Sequence, residues 1–173
     1  MWDLFETVRH RHSVRHFQSD MPVEREKLNA VLEIACAAPS AGGLQAYRIV
    51  AVEGEDARAR LAHAAHDQTC LAEAPLTLAF VTQPMRSEQV YGTRGRELYA
   101  LQDATIAAAY AQLAAVAAGL ACGWVGAFDE TAVRDVLGCE GDERPVALIP
   151  IGYPAELPQE TPRRPLAEMV RTL

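Results

Sequence analysis

The 173-residue chain has one lysine, Lys27, against fifteen arginines, and one asparagine, Asn29. Chemistry that needs a catalytic lysine therefore has a single candidate. The four cysteines, Cys36, Cys70, Cys122 and Cys139, form no C-x-x-C pair, so neither a zinc site nor a thioredoxin-like redox motif is indicated. They read as reduced core cysteines of a cytoplasmic protein. No G-x-G-x-x-G follows a strand and no G-x-x-x-x-G-K occurs, which argues against a Rossmann dinucleotide domain and a nucleotide triphosphatase. Basic excess is also missing: the formal charge is −7, the wrong sign for a nucleic-acid binder. The opening residues Met1-Trp2-Asp3-Leu4-Phe5-Glu6 lack the basic-then-apolar order of a signal peptide.

What is present suits one globular domain. Half of the residues are hydrophobic and 23% are charged, and this length can bury a full-sized core without disulfide or metal staples. Residues 104–118 contain nine alanines. Alanine is the best helix former but a poor driver of membrane insertion, so this stretch predicts a buried helix and no membrane span. Helices are expected over residues 3–10, from Pro22 to Pro39, over 55–65, over 98–121, and from an Asp129 cap to Leu137. Apolar and β-branched runs predict strands at 47–53, 76–82 and 145–151, with a short one at 123–127. Residues 84–96 read as a polar, mobile excursion. The tail from Pro154, with Pro158, Pro162 and Pro165, reads as extended.

Three segments carry chemical signals. Residues 9–16, Arg9-His10-Arg11-His12-Ser13-Val14-Arg15-His16, hold three Arg, three His and no acid in an acidic chain. They read as an anion site built from guanidinium forks and a hydroxyl, or equally as a solvated basic turn. Residues 38–45, Ala-Pro-Ser-Ala-Gly-Gly-Leu-Gln, read as a loop whose bare backbone lets a flat ligand approach Ser40 and Gln45, or as a helix stop. In Gly123-Trp124-Val125-Gly126-Ala127-Phe128 an amide could face a ligand, or the segment is a buried turn. His63 and His66 lack nearby partners for a metal site and read as surface histidines, so no metal is expected.

In this order the segments resemble the FMN-dependent nitroreductase family, as a short, minimal member. The matching residues are Arg11-His12-Ser13-Val14-Arg15, Ala38-Pro39-Ser40 with Gln45, Gly119-Leu120 followed by Trp124-Val125-Gly126-Ala127-Phe128, Ile149 to Pro154, and the late pair Arg163-Arg164. The resemblance implies an α+β, three-layer fold over residues 1–173. A central, mainly antiparallel sheet is flanked by helices, and the chain is half of an intertwined homodimer. It implies FMN held by Arg11, His12, Ser13 and Arg15, with Arg163 or Arg164 closing on the phosphate. Pro39, Ser40, Gly43 and Gln45 would reach the flavin of the other subunit, and Trp124, Val125 and Gly126 would lie along it. Gly43 stands where many relatives carry Asn. The Gly126 amide would donate to flavin N5, and no side chain would be catalytic. The implied reaction is a two-step hydride transfer from NAD(P)H to a nitroaromatic, quinone or similar small acceptor, with residues 84–96 as the candidate lid. Two rivals share the pocket: an azoline-oxidising FMN dehydrogenase, for which Tyr91 and Tyr99 are candidate bases, and a non-catalytic flavin-binding protein.

Overall fold

The computed structural model describes residues 3–158 and 161–173. Its frame is a four-stranded antiparallel sheet, β1 (Tyr47–Val52), β2 (Leu76–Thr82), β4 (Arg144–Gly152) and β3 (Ala121–Cys122), in the order β1-β2-β4-β3. The two central strands are covered on both faces, which explains their nearly continuous apolar sequences. Side chains alternate across a strand. Leu76, Leu78, Phe80, Ala147, Ile149 and Ile151 therefore enter one core with the helices α2 (Arg25–Cys36) and α6 (Ala100–Ala117). Ala79, Val81 and Leu148 enter a second core against α3 (Glu55–Ala64), α4 (Cys70–Glu73) and α7 (Glu130–Leu137). The result is three layers, as the resemblance implied.

The alanine helix α6 works by smallness. Ala104, Ala107, Ala108, Ala111 and Ala115 are fully buried, so α2 and the sheet approach its backbone closely. Only two of its buried side chains are polar, Asp103 and Gln112. Gly119, with φ +77, lets the chain turn out of the helix toward β3.

Four expectations need correction. Residues 84–96 are not an irregular excursion. They form α5 (Pro84–Arg94) and the start of a π-helical turn (Gly95–Tyr99) that leads into α6. Pro84 suits the first helical position. Arg96 then ties the segment down through Glu88 (2.7 Å) and Asp142 (3.0 Å). The short strand lies at Ala121–Cys122 instead of 123–127. Beyond it the chain keeps one bridge, Val125 to Leu148, because Gly123 and Trp124 leave the regular register. The four-residue α4 went unread, since it is too short for a helical period to show. The tail is extended at its start but contains a one-turn helix, α8 (Leu166–Met169), after Pro165. Gln159 and Glu160 of the tail lie outside the described residues, as do Met1 and Trp2.

Candidate functional site

The basic segment is set beside the sheet by backbone pairing. Helix α1 (Leu4–His10) ends as the Arg11 amide bonds to Thr7 O. The chain then runs parallel to β3, with a Ser13–Cys122 bridge and the Val14 amide on Cys122 O at 3.1 Å. Val14 and Phe17 are buried, which leaves the alternate residues Ser13 and Arg15 exposed and Arg11 and His12 half-exposed. The start of the tail closes the other side: the Ala155 amide bonds to His16 O, and the Arg15 amide to Glu156 Oε1 at 2.8 Å.

The state of these arginines is informative. Arg48, Arg96 and Arg144 are committed to Glu143, Glu88 and Glu130. Arg58 and Arg134 are committed to main-chain carbonyls. The guanidinium groups of Arg11 and Arg15 make no ion pair or hydrogen bond among the described residues. Two free planar cations next to a serine hydroxyl form a donor set that fits a phosphate. The charge of Arg11 also reaches Cys122, where it opposes burial, the main cause that pushes that thiol up to about 12. Cys122 is therefore an inert thiol beneath the segment.

Residues 123–126 continue from the same place. Gln112 of α6 donates to Gly123 O at 3.1 Å, and the Cys122 thiol donates to Gln112 O at 3.7 Å. Val125 exchanges two 2.9 Å bonds with Leu148. A Cβ on Gly123 would meet Val14 O and the Pro150 ring at 3.0 Å, so a side chain there would press these three closely packed segments apart by a few tenths of an ångström. Trp124 is partly exposed, and its Nε1 lies against Gly126. Gly126 is exposed, and its amide meets no backbone acceptor among the described residues. It lines a cavity of about 430 Å³ with Phe128, Leu101, Pro84 and Val146, rimmed by Arg96 and Arg144.

The loop from Pro39 to Gln45 sits elsewhere. It is anchored near the N-terminus of α6, where Asp103 accepts the amides of Ala41 (2.9 Å) and Ala46 (3.1 Å). The basic segment and Gly123 are anchored at Gln112 and beyond. Nine residues of helix separate those anchors, a rise of about 14 Å. Within one chain the basic segment and the 39–45 loop are therefore anchored at opposite ends of α6. The polar groups of the loop also act partly within it. Ser40 Oγ accepts the Gln45 amide at 3.0 Å, and the Gln45 side chain donates to Cys36 O at 2.7 Å. Pro39 and Gly43 are exposed. Arg163 bonds to Thr161 O and Pro162 O, and Arg164 to Glu168, so neither joins Arg11 and Arg15 by a hydrogen bond. Asp103 was missed from sequence. A lone acid in an alanine run was its only signal.

The model of the nitroreductase family matches residues 8–84 and 67–153. The chain belongs to the nitroreductase family. A Thermus thermophilus protein named NADH dehydrogenase is 30% identical over 187 residues, covering 92% of this nitroreductase chain and 91% of its own. Among solved structures, Bacillus megaterium NfrA2 superposes with a TM-score of 0.91 at 24% identity, over 99% of this chain and 74% of its own. The NADPH:FMN oxidoreductase of Vibrio harveyi, solved with NAD+, reaches 0.89 at 25% identity over 98% and 76%. Among the described residues no helix is long and apolar enough to cross a membrane.

Proposed function

We propose that this nitroreductase-family chain is an NAD(P)H-dependent FMN oxidoreductase that acts as a homodimer on small nitroaromatic, quinone or similar acceptors. Two observations carry the reading together: the free guanidinium groups of Arg11 and Arg15 on the segment paired to β3, and, four residues beyond β3, a Gly126 amide that has no backbone acceptor among the described residues. The names of the Thermus and Vibrio relatives support both the nicotinamide donor and FMN. Bound flavin would supply the hydride chemistry, which side chains cannot.

Each residue then has a task. Arg11 and Arg15, with His12 and Ser13, hold the phosphate end, and Arg163 or Arg164 completes that grip from the tail. Val125 and Trp124 fix the strand that the ring system lies against. The Gly126 N–H is held in place to donate to flavin N5 without reorganising. Pro39, Ser40, Gly43 and Gln45 come from the second copy. Their distance from Arg11 along α6 supports a site shared between two chains. So do the exposed Leu4, Phe5 and Val8 of α1 and Leu157, Leu166, Met169 and Leu173 of the tail, which a partner would cover. The reading includes a cytoplasmic location, supported by four unpaired cysteines.

The test is the purified protein. A yellow flavoprotein that binds FMN and oxidises NADH or NADPH when a quinone or nitroaromatic is added meets the expectation. Protein that stays colourless and apo with excess FMN contradicts it.

A further inference from the structure

The loop amides can be accounted for one at a time. From Ala41 to Ala46 there are six. Those of Ala41 and Ala46 go to Asp103, those of Gly43 and Leu44 to Ser40 O and Ala41 O, and that of Gln45 to Ser40 Oγ. Only the Gly42 amide finds no acceptor among the described residues. Gly42 is exposed and left-handed, with φ +58, and the neighbouring Gly43 is also left-handed at φ +69. The Tyr91 hydroxyl of α5 lies directly over Gly42, where any Cβ would collide with it. Glycine suits this backbone conformation, and any side chain there would have to displace the Tyr91 hydroxyl.

The device that fixes the loop is Asp103. Its carboxylate is only 2% exposed, and no cation pairs with it among the described residues. A buried charge is costly unless hydrogen bonds compensate it. Here two backbone amides do so, one on each side of Gly42, so the loop cannot rotate without stripping a buried carboxylate of its donors. Arg86 adds a third tie, from its Nε to Leu44 O at 3.1 Å.

We propose that the Gly42 N–H is the donor this loop offers to a carbonyl or ring-nitrogen acceptor of the flavin, and that Asp103 is the positioning residue that aims it. The inference rests on the FMN reading above and assigns two residues which that reading does not use. It also gives the loop a donor that needs no asparagine at position 43. Ser40 and Gln45 then serve mainly to shape the loop, since each is engaged within it.

The test removes the one N–H. Replacing residue 42 by glycolate turns its amide into an ester and changes no side chain. The expected result is FMN affinity about tenfold weaker, equivalent to about 1.4 kcal/mol, with only a small fall in the urea midpoint of the apoprotein, because that N–H bonds to nothing in the chain and the ester merely weakens Ala41 O as acceptor of the Leu44 amide. Asp103→Asn, which keeps the volume but aims an NH2 group at one of the two amides, should weaken FMN binding by a similar factor. It should also lower the urea midpoint. An ester protein that binds FMN as tightly as the unmodified chain overturns the proposal. If the unmodified chain itself fails to bind FMN, the functional reading falls and the proposal falls with it.

Discussion

The two polar side chains buried in α6 define two regions that are held in different ways. Near Gln112, the segment 11–15, β3 and residues 123–125 are secured mainly by backbone bonds to one another and to β4. Near Asp103, the loop 39–45 has no strand to lean on, and a single carboxylate secures both of its ends. The first region resists a single side-chain change because a ladder shares the load. The second depends on individual side chains, Asp103 at both ends with Arg86 and Ser40 between them. The difference also bears on ligand binding: the ladder region leaves its cations free for a ligand, whereas the loop region leaves one amide.

That contrast can be broken at either side. Asp103→Ala should have the largest effect. It leaves one buried amide, of Ala46, and one half-buried amide, of Ala41, without an acceptor, at about 1–3 kcal/mol each, and urea denaturation should show a loss of roughly 3 kcal/mol. Arg11→Ala should be the mirror image. Titration should show FMN affinity lower by about ten- to a hundred-fold, the worth of one charge-assisted bond of about 1.5–3 kcal/mol. Its urea midpoint should stay near that of the parent, since the guanidinium supports nothing else among the described residues. Gln112→Leu should have the smallest effect, a stability loss of about 1 kcal/mol for one side-chain hydrogen bond. The bonds of Val14 and Val125 to their neighbours keep the segment in place. A loss at Gln112 as large as that at Asp103 would erase the distinction.

Legibility from sequence follows the same division. The strands β1, β2 and β4 and the helices α2, α3, α6 and α7 announce themselves because apolar spacing records which faces are buried. The residues 11–15 and 123–126 are visible as motifs because each is contiguous. The loop residues are visible too, but what holds them is not, because Asp103 acts on Ala41 and Ala46 from across 57–62 positions of sequence. The helix α5 was misread for a related reason. Its order comes from Arg96 reaching Glu88 and Asp142, and its own polar, glycine-containing sequence carries no apolar stripe. The one-turn helices α4 and α8 are too short to show a period. Contacts within a segment are written in the local pattern, and contacts made by one side chain across the fold are not.

The central claim is that a complete flavin site takes its basic segment from one chain and its 39–45 loop from another. The most direct measurement is FMN titration of a purified mixed dimer, one copy Arg11→Ala and the other Asp103→Ala, isolated through two different affinity tags. If the site is shared, one site combines both defects and the other has none, so the titration should show one FMN bound as tightly as in the parent and a second bound far more weakly. Two weakened sites, each carrying the defect of one substitution and neither binding as in the parent, would mean that each chain builds its site alone, and would contradict the account.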